Sequence, residues 1–219
     1  MGKLRVLVTG GSRGIGRAIA LRFAREGARV AVAARTSDQL DAVVKEIDAA
    51  GGQGRAQQMN VGDHGSVEAA VWRALEFTGG ALDVLVNGAG VLDPKPFAKL
   101  DLASWRRHVE VNLDGPFYVT SEALEALLAG DRPHVFNVSS IAGRRGRSGS
   151  VAPSATKYGL RGFSDALRED LRAHGVRVTT VHPGAADPKV FEPVADAVWN
   201  AYQAPASEAI DDLDVPAPA

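Results

Sequence analysis

Apolar residues along the chain follow two rhythms. Short, almost unbroken apolar runs at residues 4–8, 29–34, 82–86, 134–139 and 176–181 are bounded by Gly, Asn or Pro. Such runs predict buried strands. Residues 54–59 form a weaker strand candidate, and 210–215 could add a last one. Between the runs, apolar residues recur with helical spacing. Ile15, Ala18, Ile19, Leu21 and Phe23 mark a first helix, and Leu40, Val43, Val44 and Ile47 mark a second, which Ser37 and Asp38 can cap. Further helices are predicted over 66–77, about 101–128, about 153–173 and 192–202. Gly27, Gly51 and Gly175 stand where helices should stop. Strands alternating with helices predict an α/β fold. The sheet is parallel and doubly wound, with about seven strands flanked by helices and ligands at the strands' carboxyl ends.

Composition narrows the function classes. The chain has 219 residues, enough for one sizeable core, so a single domain over 1–219 is expected. Lys and Arg number 25 against 26 Asp and Glu, a balance that points to neither nucleic acid nor a membrane surface. Cysteine is absent, which excludes disulfides, thiolate catalysis and Cys-based metal sites, and no metal is expected. No apolar run approaches the roughly 20 residues of a spanning helix, and the first strand begins at once, so the expected location is cytoplasmic. The Pro/Ala-rich tail is expected to fray.

Chemistry concentrates first at Val6-Leu-Val-Thr-Gly-Gly-Ser-Arg-Gly-Ile-Gly16. A strand ends in a glycine turn and a helix starts at once. Glycine suits a turn that demands positive φ or a close ligand approach, and the helix N-terminus offers free N–H groups to a phosphate. In that context the string predicts dinucleotide binding.

More motifs follow in order: Asn87-Gly-Ala-Gly90, Asn112, Asn137-Val-Ser-Ser-Ile-Ala-Gly143, Ser154-Ala-Thr-Lys-Tyr-Gly159 and Pro183-Gly184. With the glycine turn, they make residues 4–184 resemble a short-chain dehydrogenase/reductase. The resemblance implies a Rossmann fold and hydride transfer between a nicotinamide dinucleotide and a carbonyl or alcohol. It assigns cofactor contacts to Gly10, Ser12, Arg13, Gly14, Ile15, Gly16, Asn60, Val61, Asn87, Ala89, Gly90, Lys157, Pro183 and Gly184. NAD-using members usually carry an acid where this chain has Ala34, followed by Arg35. A guanidinium binds a 2′-phosphate that a carboxylate would repel, so Arg13 and Arg35 favour NADP(H). Two differences from the family stand near the cofactor. Asn60 replaces an Asp, and Gly88 replaces a second Asn, whose loss is expected to loosen the sheet locally.

The family's catalytic group is Asn, Ser, Tyr and Lys, the Tyr serving as acid and base. Asn112, Ser140 and Lys157 match, Asn112 as the holder of a relay water. The Tyr position, thirteen residues after Ser140 and four before Lys157, is Pro153, which has no ionisable group. Tyr158 lies about 140° further round the helix and is expected to pack against a neighbouring strand. Proline is tolerated in a first helical turn, so residue 150 or 152 should start that helix. Two functions follow. One is an NADP(H)-dependent oxidoreductase of an unidentified small carbonyl or alcohol. The other is an impaired NADP(H)-binding member acting as a sensor or oligomer partner.

Pro188 stands where the family often has a nicotinamide-binding Thr, and the substrate lid around 185–194 is short, predicting an open site. Arg144, Arg145 and Arg147 fit either an anionic substrate or a solvated loop. By resemblance, helices 101–128 and 153–174 pair subunits into a homodimer or homotetramer. Leu124, Leu127, Leu128, Phe163, Ala166 and Leu167 are the candidate surface.

Overall fold

The computed structural model describes residues 3–185 and 187–217. Seven parallel strands form one sheet: β1 Arg5–Thr9, β2 Arg29–Ala34, β3 Gln53–Gln58, β4 Val84–Asn87, β5 His134–Val138, β6 Arg177–Pro183 and β7 Asp212–Val215. Their order is β3-β2-β1-β4-β5-β6-β7. The order reverses between β1 and β4, so the loops after those strands diverge and leave a crevice at the carboxyl edge.

Helices cover both faces. They are α1 Gly14–Ala24, α2 Ser37–Ala49, α3 His64–Thr78, α4 Leu102–Val109, α5 Gly115–Leu128, α6 Val151–Arg172 and α7 Pro188–Gln203. One apolar layer joins α1, α2 and α7 to the sheet through Ile19, Phe23, Ile47, Val194 and Tyr202. The other joins α3 and α5 through Val67, Val71, Val119, Ala123 and Leu127. The five inner strands β2, β1, β4, β5 and β6 are buried on both faces, which explains their apolar runs, while the edge strands β3 and β7 are more exposed and polar.

The elements differ from expectation in specific ways. The long helix over 101–128 is two helices joined by a π-helical turn, Glu110–Asp114, with Asn112 at its centre. Helix α2 follows Thr36, without a side-chain cap from Ser37 or Asp38. Asp63 caps α3 by accepting from Ser66 N, so that helix starts earlier than predicted. Helix α7 begins at Pro188, not 192, because Asp187 accepts from Lys189 N and caps it. Helix α6 follows Ser150, and Pro153 falls in its first turn, where a backbone N–H has no helical acceptor to lose. Of the short lid, Ala186 lies outside the described residues, as do the last two residues of the tail.

Candidate functional site

The site grows from the end of β1. Thr9 Oγ1 accepts from Gly88 N at 3.1 Å and Ala89 N at 3.2 Å, tying the turn after β4 to the glycine turn. The approach is so close that a Cβ on Gly10 would lie 2.7 Å from Gly88 O. Gly10 and Gly14 adopt φ of +68° and +58°, conformations that favour glycine. No side chain caps the first turn of α1, so its N–H groups stay open to an anion.

These turns wall a cavity of about 570 Å³. The first turn contributes Gly10, Ser12, Arg13, Gly14, Ile15 and Gly16, and β2 contributes Arg35 at its end. Asn60 and Val61 follow from β3, Ala89 and Gly90 from β4, and Lys157 from α6. A second cavity of about 410 Å³ shares Arg13, Arg35 and Gly90 with the first and adds Arg107 from α4. The glycine-lined floor and the open helix N-terminus fit a dinucleotide, and the two arginines fit an added phosphate.

Lys157 is buried, and its Nζ donates to Val138 O at 2.8 Å. Burial alone pushes its pKa down to about 8. A Cβ on Gly90 would lie 3.4 Å from both Lys157 Nζ and Asn112 Oδ1, so both side chains pack against Gly90, which with Lys157 lines the cavity.

Five expected site residues are not on the wall of the first cavity. The Asn87 side chain turns inward and donates to Thr120 Oγ1 and Asn137 Oδ1. Asn112 accepts from Val91 N at 2.8 Å and donates to Val91 O and Thr156 Oγ1. Its donors are spent on clamping the turn after β4 against α6, which leaves neither for a relay water. Ser140 Oγ accepts from Ala142 N and caps the 3-10 turn Ile141–Gly143. Pro183 pairs with Val215, and Gly184 N donates to Val215 O, stitching that edge to β7.

Pro153 is buried, and its carbonyl accepts from Thr156 Oγ1. Tyr158 does not pack against a strand. It is exposed, and its hydroxyl donates to Arg144 O at 2.5 Å. Arg144 is not free for a substrate either, because it pairs with Asp212 and Asp214 of β7. Asp212 also takes Arg161 and His182. Burial opposes its charge, but the His182 hydrogen bond and the two guanidiniums outweigh that and hold its pKa down. Arg145 and Arg147 are exposed.

Sequence reasoning missed three residues. The apolar pattern marks Thr9 only as the end of a strand. Phe191 of α7 lines the cavity, its ring 3.7 Å from where a Cβ on Gly14 would stand, so the site is partly roofed. Only Asp187 and Pro188, which start α7 early, could have hinted at that. Arg107 carried no motif.

Comparison with known proteins agrees with this architecture. The family model described as short chain dehydrogenase matches residues 4–199. The chain belongs to the short-chain dehydrogenase family of oxidoreductases. It is similar to a 3-oxoacyl-[acyl-carrier-protein] reductase of Synechocystis sp., 37% identical over 179 residues, covering 81% of this chain and 72% of that one. An uncharacterized oxidoreductase of Myxococcus xanthus is 39% identical over 178 residues, covering 81% and 70%. Among solved structures, a metagenomic short-chain oxidoreductase in complex with NADP superposes with a TM-score of 0.87 at 35% identity, covering 98% of each chain.

Proposed function

We propose that the protein is an NADP(H)-dependent oxidoreductase of a small carbonyl or alcohol. The observation that carries this is the single cavity joining the glycine turn, Arg13, Arg35 and Lys157. In this reading Gly10, Ser12, Gly14, Ile15 and Gly16 receive the pyrophosphate against α1, and Arg13 and Arg35 take the 2′-phosphate. Asn60 and Val61 flank the adenine, while Ala89, Gly90 and Lys157 hold the ribose next to the nicotinamide. Pro183 and Gly184 support that end through the backbone, and Asn87 and Asn112 position the turn after β4. When bound, the cofactor supplies or accepts the hydride. Ser140 is assigned to the substrate oxygen. The NADP-complexed structural relative supports the cofactor choice.

Pro153 favours a second reading at one step only. A buried proline cannot protonate an alkoxide, so proton transfer is slower than in a member with tyrosine there. The cofactor-binding part of the proposal is common to both. A cytoplasmic location and self-association through α4, α5 and α6 complete it, within one domain whose lid is the segment leading into α7.

The test is calorimetric titration with NADPH and NADH, then turnover on an aldehyde and ketone panel. NADPH should bind more tightly than NADH. Pro153→Tyr should raise carbonyl reduction on the order of 10²–10⁴-fold, the range a positioned acid or base contributes. Binding of neither nucleotide overturns the cofactor assignment, and an unchanged rate in Pro153→Tyr overturns the account of Pro153.

A further inference from the structure

We propose that Lys157 itself exchanges the proton with the substrate oxygen, as acid in reduction and as base in oxidation. This rests on the oxidoreductase reading above. Among the residues walling the cavity, the only ionisable side chains are those of Arg13, Arg35 and Lys157. A guanidinium does not release its proton in a protein, so among the described residues Lys157 is the one group on the first cavity's wall able to trade a proton near neutral pH; Asp93, Lys95, Asp101 and His108 line the adjoining cavity instead.

The geometry frees Lys157 for the task. An ammonium has three donors, and among the described residues Nζ has one acceptor, Val138 O. The 3.4 Å approach to a Cβ built on Gly90 brings Nζ to the wall of the cavity. Its usual role beside a phenol is void here, since Pro153 stands one turn earlier on α6. Tyr158 cannot replace that phenol, being exposed with its hydroxyl on Arg144 O. Ser140 Oγ already accepts from Ala142 N and is far too weak an acid to act alone. Burial brings the lysine to about 8, with no charged neighbour on any packed element contributing to the shift. Asn112, which packs against Gly90 beside Lys157 Nζ, does not titrate.

In the reduction, the bound reduced nicotinamide would supply a hydride to the carbonyl carbon and would itself be oxidised. The C=O π pair moves to oxygen, an O–H bond forms as an N–H bond of Lys157 breaks, and the neutral amine recovers its proton from water entering the cavity that it lines. Oxidation runs the same proton back.

Three measurements decide the matter. First, the wild-type reduction rate should fall about tenfold per pH unit above a midpoint near 8, and amine ¹H–¹⁵N spectra of cofactor-free protein should show Nζ titrating at that midpoint. Second, Lys157→Arg keeps the charge but not the acidity. It should bind NADPH yet lose turnover on the order of 10²-fold or more. Third, small primary amines such as methylamine should rescue Lys157→Ala with a rate that tracks the amine's own pKa. A Lys157→Arg variant that keeps the wild-type rate and pH profile overturns the proposal, as does NADPH binding without wild-type turnover. Failure of the wild type to bind NADPH instead overturns the cofactor reading beneath it.

Discussion

Gly88 shows how a single position changes meaning once the fold closes. Read against the family, it is a missing asparagine that should loosen the sheet. In the fold, a Cβ there would lie 2.7 Å from Thr9 O. Gly88 N also donates to Thr9 Oγ1, so the backbone is held against β1 at a distance that excludes a side chain. Gly88→Asn should therefore destabilise the protein by roughly 1–3 kcal/mol, the usual cost of overpacking, measured by thermal or urea unfolding. A gain in stability would restore the looser reading. Residue types were legible where the chemistry is local. Gly10 and Gly14 adopt positive φ, and Lys157 lines the cavity. Asn112 was legible as a purposeful polar residue inside a helix. Its partners, Val91 and Thr156, come from distant segments and were not.

At the scale of elements, β5 carries a burden that no motif announced. His134 opens the strand fully buried, stacked on Phe136 with ring centroids 3.9 Å apart and Nε2 against Thr179 Oγ1 at 2.8 Å. Burial, then the charges of Arg177 and Arg132, push its pKa well below the usual value of about 6.5. The unfolded chain therefore takes up this proton first as pH falls below about 6.5, and the folded state loses stability from there downward. The melting temperature should drop between pH 7 and pH 5, and His134→Gln should flatten that drop even if it lowers the plateau. An equal slope in the variant would assign acid sensitivity elsewhere. Strand and helix identities were readable because burial on both sheet faces demands continuous apolar runs, and amphipathic helices demand helical spacing. Starts and stops were less so. Helix α7 runs through Pro193 and starts four residues before its expected beginning, because a cap at Asp187 and packing on α1 outweigh local proline chemistry.

For the whole molecule, the surface of α4, α5 and α6 matters most. Leu102, Trp105, Phe117, Val151 and Tyr158 are exposed there, while Leu127, expected at an interface, is wholly inside the core. Leu124 and Leu167 are half-buried against that core. Large exposed apolar side chains on neighbouring helices fit a surface covered by a second copy of this chain. Sedimentation should find the wild type as a dimer or larger, and Phe117→Glu should shift it toward monomer without unfolding it. A monomeric wild type would sink the proposed self-association. Among the described residues, no helix is long and apolar enough to cross a membrane.

By itself the sequence determined the parallel, doubly wound class, the glycine turn at the end of β1, the family and the absence of an ionisable group at Pro153. These follow from local chemistry: backbone freedom at glycine, the periodicity of burial, and residue types at set spacings. Only the tertiary structure decided that Thr9 binds the turn after β4, that Phe191 roofs Gly14 and that Arg144 is spent on β7. It alone put Lys157 out of water, where the cost of holding a buried charge brings its proton within reach of neutral pH. Each of those depends on segments far apart in the chain meeting at the carboxyl edge of one sheet, and no local pattern encodes that distance.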